Sequence, residues 1–338
     1  MLVTLTGAFR NAGDYLIGHR GRALLHKYVD EEIVDINRLA ISSADYKTLN
    51  QAKAIILCGG PAYQSQIFPK IYPLEMDQIE TRIVPMGLGW KGALNQKPED
   101  FQFPAEAQSF IRQIHSNINH SSVRDNITLE ILNSMGIRNV SMTGCPAWYD
   151  LESMSKDYHF DSNPKRIVFS LPAKPQADAF GIVEWISKQF PRADKVFALH
   201  HGWRPSKSVK GNEMRNWHLR VAGFGLLRGW RTASIADGLD KMLDLYGKSD
   251  LHVGFRVHAH LLSLSQRKAS LLIAEDSRGV GQVEALGGSA VLAGAGAQAS
   301  IDALTEHFDS KGAAVAQSVK TMNATFPKMQ AFLESIGS

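Results

Sequence analysis

The sequence predicts an α/β protein of two halves, each built around a doubly wound parallel sheet. Short continuous apolar runs alternate with amphipathic helical patterns along the first half of the chain, and the alternation restarts after a polar break at 151–164. Such apolar runs are typical of strands that are buried on both faces, as in parallel sheets. Glycines follow three of the first runs, at Gly7, Gly59 and Gly87, as repeated strand–turn–helix units require.

The first half contains six strand candidates and three helix candidates. The strand candidates are short apolar runs at Leu2–Thr6, Ile33–Ile36, Ala54–Cys58, Ile83–Met86, Ser121–Arg124 and Val140–Thr143. Between the strands, apolar residues recur at helical spacing in Leu16–Tyr28, Ala105–Asn117 and Asn126–Met135.

The second half repeats this pattern. Its strand candidates are Arg166–Leu171, Lys195–Leu199, Leu251–Gly254 and Ser270–Ala274, and its helix candidates are Phe180–Phe190, Ile235–Tyr246 and Val257–Ser265. From Ser310 the chain is helical, with an apolar face at Val315, Val319, Met322, Phe326, Met329 and Phe332. We therefore predict a first domain over 1–155, a second over 164–309 and a helical segment over 310–338. Two such halves place a ligand cleft between them, outside the carboxyl ends of their strands.

Length and composition exclude several classes of protein. At about 150 residues per domain, 338 residues indicate two domains. No apolar run reaches the roughly 18 residues that span a bilayer, and Met1 leads directly into a strand pattern rather than a signal peptide. The two cysteines, Cys58 and Cys145, cannot form a disulfide framework or a four-thiolate zinc site. We expect a cytoplasmic protein.

The positive charge is concentrated in one stretch. The chain has a net charge of +4, but seven Arg and Lys residues against Glu213 give +6 between His200 and Arg231. The same stretch holds Trp203, Trp217 and Trp230. Three interpretations stay open: a solvated face, a sugar-binding groove, or a contact with the inner face of the membrane. Nucleic acid is not expected, because no recognised binding motif accompanies the charge.

Five short motifs run through the chain in a fixed order. They are Asn11-Ala-Gly-Asp14, Gly59-Gly60-Pro61, Ser122-Val-Arg-Asp125, Thr143-Gly-Cys-Pro146 and Gly254-Phe-Arg256-Val-His258. This ordered set resembles the polysaccharide pyruvyl transferase family over about residues 7–286. The resemblance implies transfer of the pyruvyl group of phosphoenolpyruvate to a sugar of a glycan or glycan precursor as a ketal, with release of phosphate. It implies no cofactor, because phosphoenolpyruvate is a co-substrate.

The resemblance also implies a fold and two principal site residues. The fold would be GT-B-like, with two Rossmann-like domains facing across a cleft and a C-terminal helix that crosses back to the first domain. The first domain would take the acceptor, a sugar or a lipid-linked oligosaccharide, and the second the donor. Arg256 would bind phosphoenolpyruvate and His258 would be the general acid or base. The chemistry fits, because guanidinium binds carboxylate or phosphate bidentately and imidazole exchanges protons near neutral pH.

The remaining site candidates have competing interpretations. Asp14, and Asn11 with it, would orient the acceptor hydroxyl or act as base, or would only favour the first turn of a helix. Arg124 would contact the acceptor, or would pair with the neighbouring Asp125 at a helix start. Arg278 stands where the family often has a lysine, and keeps the positive charge for the donor. Without the family, Arg256 would pair with Asp250 or Asp276.

The basic stretch adds two further site candidates, and the spacing of His258 and His260 argues against a metal site. His201 and Arg204 follow a strand end at Leu199, the usual position of ligand loops, and are predicted to help bind the donor. His258 and His260 are about 200° apart on a helix, so we expect His260 to pack in the core and no metal to bind. The alternatives to the pyruvyl transferase are a GT-B glycosyltransferase that uses a nucleotide sugar and a non-catalytic glycan- or anion-binding protein.

Overall fold

The computed structural model describes residues 1–7, 11–204 and 206–337, and it contains two parallel sheets with helices on both faces. The first sheet has the strand order β2-β1-β3-β4, and β5 and β6 form a short parallel pair beside it. These strands are β1 (Leu2–Thr6), β2 (Ile33–Asn37), β3 (Ala54–Cys58), β4 (Ile83–Met86), β5 (Ser121–Val123) and β6 (Val140–Met142). The helices of this half are α1 (Ala12–Tyr28), α2 (Asp45–Gln51), α3 (Ala105–Ser116) and α4 (Asn126–Ser134).

The second sheet has six parallel strands in the order β12-β11-β10-β7-β8-β9. They are β7 (Arg166–Ser170), β8 (Asp194–Leu199), β9 (Trp230–Ser234), β10 (Leu251–Gly254), β11 (Ala269–Ala274) and β12 (Val291–Leu292). The helices are α5 (Asp178–Gln189), α6 (Val209–Leu226), α7 (Leu239–Gly247), α8 (Val257–Ser265), α9 (Ser277–Ala285), α10 (Ala297–Asp309) and α11 (Ala313–Gly337). The α/β class and the parallel sheets predicted from the sequence are confirmed.

The central strands are fully buried, which explains their continuous apolar runs. Every residue of β1, β3 and β10 is buried, because helices cover both faces of each sheet. One hydrophobic cluster joins the two halves: it contains Leu16 of α1, Leu262 of α8 and Phe332 of α11. Each such buried side chain stabilises the fold by about 1.5–3 kcal/mol. The shared cluster therefore fixes the helices that border the cleft relative to each other.

The last helix crosses back to the first half of the chain, as predicted. The Phe326 ring lies 5.9 Å from the Tyr28 ring of α1 and 5.0 Å from the ring of Tyr149. Near its end, the carbonyl of Ile336 accepts a hydrogen bond of 2.8 Å from Arg82 Nη2. Its predicted apolar face is the buried one.

The sequence patterns did not predict α2, α6, α9, α10, β9 or β12, and the predicted helix 235–246 begins only at Leu239. In α6, three glycines and several polar residues interrupt the apolar stripe, so its periodicity is weak. Helix α1 starts at Ala12, four residues before its predicted start. Asn11 is the reason, because its side chain accepts a 3.2 Å hydrogen bond from the amide of Gly13 and so caps the helix.

Candidate active site

A small pocket lies between the two sheets, where loops leave the carboxyl ends of their strands. Its volume is about 280 Å³. Its walls are the start of α1, the loop after β8, the β10–α8 junction and the β11–α9 junction, with Arg38 and Lys91 at its side. A larger cavity of about 770 Å³ adjoins it and shares Lys91, Glu275 and Arg278. This is the position at which open α/β sheets bind ligands.

The backbone holds Arg256 at the mouth of β10. Gly254 has a φ of 140°, and a Cβ there would lie 2.4 Å from the carbonyl oxygen of Ser170, so only glycine fits the turn. The Arg256 side chain donates from Nε to the carbonyl of Leu171 at 2.7 Å and from Nη2 to that of Pro172 at 3.0 Å. Guanidinium has five N–H groups, and the other three make no hydrogen bond to the described residues, so they can bind a ligand.

The alternative structural role for Arg256, an ion pair with Asp250 or Asp276, is wrong. The Asp250 carboxylate accepts hydrogen bonds from the backbone amides of Lys165 and Arg166. Asp276 pairs with Arg278 at 2.6 Å. The Arg256 guanidinium is therefore held by neutral carbonyls, which orient its charge without neutralising it.

His258 faces the start of α1. A Cβ on Gly13 would lie 2.2 Å from His258 Nδ1, so the ring packs directly on the helix backbone. Its Nε2 is buried and has no hydrogen-bond partner among the described residues. Burial, together with the positive charges of Arg124 and Arg278, lowers the pKa of His258 to about 3. The imidazole is therefore neutral at physiological pH and can accept a proton.

Three carboxylates and four cations surround this ring. Burial raises the pKa of Asp14, although the Arg38 guanidinium lies 3.7 Å from its carboxylate. Burial also raises the pKa of Glu275, whose carboxylate accepts hydrogen bonds from two backbone amides. For Asp276, burial alone would raise the pKa, but the hydrogen bonds and charge of Arg278 outweigh burial and lower it. Two cation–carboxylate pairs thus form. Arg256 and Lys91 remain against Glu275 alone, so the cations of the pocket outnumber its carboxylates by one and favour an anion.

Six of the eight predicted site residues line the pocket, namely Asn11, Asp14, His201, Arg256, His258 and Arg278. The other two do not. Arg124 is only 1% exposed and bonds Asp125 at 3.2 Å, while Asp125 caps α4. Arg204 is exposed and donates to the carbonyl of Lys207 at 3.2 Å. His260 packs in the core, as expected, and no group of three or more metal-ligating side chains is present in the described part of the chain.

Sequence reasoning missed Arg38, Lys91 and His200, which also line the pocket. Their positions shortly after the ends of strands could have identified them from the sequence. Arg38 follows β2 directly, Lys91 lies shortly after β4, and His200 comes directly after β8. Polar or basic residues just beyond parallel strand ends converge on one edge of the sheet.

A buried chain of hydrogen bonds supports the pocket from behind. It runs from Ser170 through His252 and Ser270 to His260, and a hydrogen bond between His200 and Tyr246 lies beside it. These four hydrogen bonds are 2.7 or 2.8 Å long. The Ser170 hydroxyl also accepts a hydrogen bond of 3.1 Å from the backbone amide of Arg256. The polar chain therefore fixes the position of Arg256 from inside an otherwise apolar core.

We expect folded-state stability to fall with acid because such histidines are buried in the neutral form. Burial lowers the pKa of His260 from its usual 6.5 to about 3. The unfolded chain takes up this proton near pH 6.5, so stability present above pH 6.5 is lost as the pH falls toward 3, by about 1 kcal/mol per unit per histidine. His260→Asn should keep the hydrogen bond to Ser270. Its free energy of unfolding in urea, measured between pH 6 and 4.5, should depend less steeply on pH than that of the wild type, by the equivalent of about one bound proton. An unchanged slope would contradict the prediction.

The contact between Gly13 and His258 yields a second prediction. Gly13→Ala is expected to lower the turnover number by about 10–100-fold, because the new methyl group must displace the His258 ring and a 1 Å misplacement is enough for such a loss. The matched control is Gly223→Ala in α6, where a Cβ meets nothing within 4 Å. Initial rates and unfolding curves of both variants are the measurement. Full activity in Gly13→Ala would show that the ring position does not matter.

The fold and the pocket together define a class of protein: a GT-B-like α/β protein with a small cationic pocket between its two sheets. Within this class, the chain belongs to the polysaccharide pyruvyl transferase family, whose family profile matches residues 11–277. The resemblance carried by the five sequence motifs is confirmed.

Solved structures share the fold at low sequence identity. A putative UDP-N-acetylglucosamine 2-epimerase from Listeria monocytogenes matches with a TM-score of 0.58 and 13% identity over 94% of this chain and 90% of that one. The Neisseria meningitidis UDP-GlcNAc 2-epimerase bound to UDP-GlcNAc matches with a TM-score of 0.56 and 13% identity, over 98% of this chain and 99% of that one. S. aureus MnaA with UDP matches with a TM-score of 0.55 and 14% identity, over 94% of this chain and 90% of that one. Comparison with curated protein sequences gives no match.

Proposed function

We propose that the protein transfers the pyruvyl group of phosphoenolpyruvate to a sugar of a glycan or glycan precursor, forming a ketal and releasing phosphate. The observation that carries the proposal is that Arg256, with three N–H groups unbonded to the described residues, and the neutral, half-buried His258 line one pocket of about 280 Å³. Phosphoenolpyruvate is small and carries a carboxylate and a phosphate, which are the two groups that guanidinium binds best. Lys91 supplies further charge for the second group, and Arg278, although paired with Asp276, lines the same pocket.

The proposed reaction balances with two hydroxyl groups and no further reagent. A proton adds to the methylene carbon of phosphoenolpyruvate, and a sugar hydroxyl oxygen bonds to the carbon that bears the phosphate. The carbon–oxygen bond to phosphate breaks, and a second hydroxyl oxygen closes the ketal. One of the two hydroxyl protons restores the group that protonated the methylene carbon, and the other leaves with phosphate. His258 exchanges these protons, and a bound anion beside it raises its low pKa toward the working pH.

The acceptor sugar is proposed to lie in the larger adjoining cavity. Four glutamines, Gln64, Gln66, Gln96 and Gln176, line it together with Phe101 and Lys174. Amides donate and accept hydrogen bonds at once, as sugar hydroxyls require, and an aromatic ring packs on the apolar face of a sugar. Three of the glutamines, Phe101 and Asp14 belong to the first half of the chain, whereas Arg256, His258, Arg278 and His201 belong to the second. This division supports acceptor binding by the first half and donor binding by the second, with Asp14 orienting the hydroxyl.

A ligand-dependent shift in melting temperature tests the donor. Phosphoenolpyruvate at a hundredfold excess over its Kd should stabilise the protein by about 2.7 kcal/mol, and UDP should not. Stabilisation by UDP alone would favour the nucleotide-sugar glycosyltransferase instead. The mass of a defined acceptor then decides the product, because a pyruvyl ketal adds about 70 Da and a hexose about 162 Da. No phosphate release with any hexoside would favour a binding protein without activity.

A further inference from the structure

One face of α6 and the loop before it carries most of the exposed apolar side chains of the molecule. Six large apolar residues are exposed in the described part of the chain, and five of them lie between 203 and 227, namely Trp203, Val209, Leu219, Leu226 and Leu227. Leu226 is 71% exposed and Leu227 is 85% exposed. We call the described residues 203–204 and 206–227 the α6 face. An apolar cluster of this kind on a protein surface marks an interaction site.

The exposed residues are not needed for packing within the chain. Helix α6 already buries Met214, Trp217 and Val221 against the second sheet. Leu219 and Leu226 are seven residues apart, so they lie two turns apart on one outward side of the helix. On this outward side the helix exposes two leucines, opposite the residues that pack on its own core.

The α6 face carries less net charge than the +6 counted between His200 and Arg231, but it remains positive. Arg228 and Arg231, beyond the face, form ion pairs with Glu184 and Asp194, which lie outside the basic stretch. Five cations against the single Glu213 then leave +4 between 204 and 220; these are Arg204, Lys207, Lys210, Arg215 and Arg220. All five are exposed, and none forms an ion pair within the described ranges. The free charge and the exposed leucines thus share α6 and the residues directly before and after it.

We propose that the α6 face docks the protein on an anionic lipid bilayer. Leucine and tryptophan beside arginine and lysine are the composition of helices that lie in the membrane interface, where anionic headgroups attract each nearby cation. The phosphates of a nucleic acid would bind the cations, but they would not cover the exposed leucines. A symmetric contact between two copies would bring like charges together. A lipid surface matches both features.

The α6 face is continuous with the pocket. His201 lines the pocket, and Trp203, two residues later, is exposed. The carbonyl of Trp203 is bonded at 3.1 Å to His218 Nδ1 of α6, which ties the loop to the helix. Docking through this face would hold the pocket close to a saccharide presented on a lipid, a consequence that rests on the proposed function. The docking itself does not depend on it.

Co-sedimentation with vesicles tests the docking without any activity assay. The full chain is mixed with vesicles of phosphatidylcholine alone or with about one third phosphatidylglycerol, at low and high salt. Two double variants probe the face: Leu226→Ser with Leu227→Ser, and Arg215→Glu with Arg220→Glu. The charge control is Lys320→Glu with Lys328→Glu on α11, which makes the same charge change at two exposed residues away from the face. The apolar control is Leu39→Ser, at the remaining exposed apolar residue.

The wild type and both controls should bind the anionic vesicles alike, and binding should weaken with salt and without phosphatidylglycerol. Each α6 variant should lose about tenfold or more in partitioning, while circular dichroism stays that of the wild type. Wild-type protein that stays in the supernatant, or α6 variants that bind like the controls, would overturn the proposal. Loss in the charge variant alone, with equal binding to DNA, would indicate a polyanion surface instead. An oligomer that only the leucine variant dissociates, with unchanged vesicle binding, would assign the face to contact between copies.

Discussion

His258→Gln is expected to lower the turnover number by about 10²–10⁴-fold, the usual contribution of a positioned acid or base. Glutamine keeps the size of the side chain and a polar atom near the position of Nε2, but an amide does not exchange a proton at neutral pH. The KM for phosphoenolpyruvate should change far less, since Arg256 and Lys91 still attract the anion. Initial rates of phosphate release with an accepted hexoside measure both constants.

The control for this variant is His26→Gln, at an exposed histidine on α1. It makes the same chemical change outside the pocket and should leave both constants unaltered. Because His258 is neutral, its replacement removes no charge from the folded protein, and the pocket should still bind phosphoenolpyruvate in a thermal-shift titration. Phosphate release at the wild-type rate from His258→Gln would remove His258 from the mechanism and leave the donor site intact.

Arg256→Met is expected to lower kcat/KM for phosphoenolpyruvate by about 2–5 kcal/mol, or roughly 30- to 5,000-fold, the loss typical of one partner in a buried charged pair. The effect should fall mainly on KM. Arg256→Lys should recover only part of it, because lysine keeps the charge but has three donors instead of five and cannot bind an anion bidentately while it bonds two carbonyls. Arg138→Met, at an exposed arginine, is the matched control.

This substitution also has a structural consequence that must be separated from binding. The carbonyls of Leu171 and Pro172 lose their donor, which can destabilise the fold by about 1–3 kcal/mol. Urea unfolding measures that loss directly. The increase in melting temperature with phosphoenolpyruvate should disappear in the folded Arg256→Met variant; if the full increase remained, Arg256 would be a structural residue and the donor would lie elsewhere.

The strands and the motif residues were accessible from the sequence because both depend on local pattern. Strands β1, β3, β4 and β10 match their predicted bounds, since a strand covered on both faces is mostly apolar. Helix α6 was missed because its glycines and exposed leucines blur the stripe that packs on the core. Arg38 and Lys91 were missed because basic residues after strands are common, and only the fold shows which of them reach the same pocket.

The sequence by itself determined the α/β class, the family, and the placement of Arg256 and His258 just beyond a strand end. These follow from periodicity and from short motifs within a few residues of one another. Only the tertiary structure decided that Gly13 meets the His258 ring across the chain, that burial holds this histidine neutral, and that Arg124 lies outside the pocket. It also decided that Arg228 and Arg231 are paired with distant carboxylates. The reason is physical: burial, pKa and the net charge of a surface depend on groups far apart in sequence that folding brings within a few ångströms.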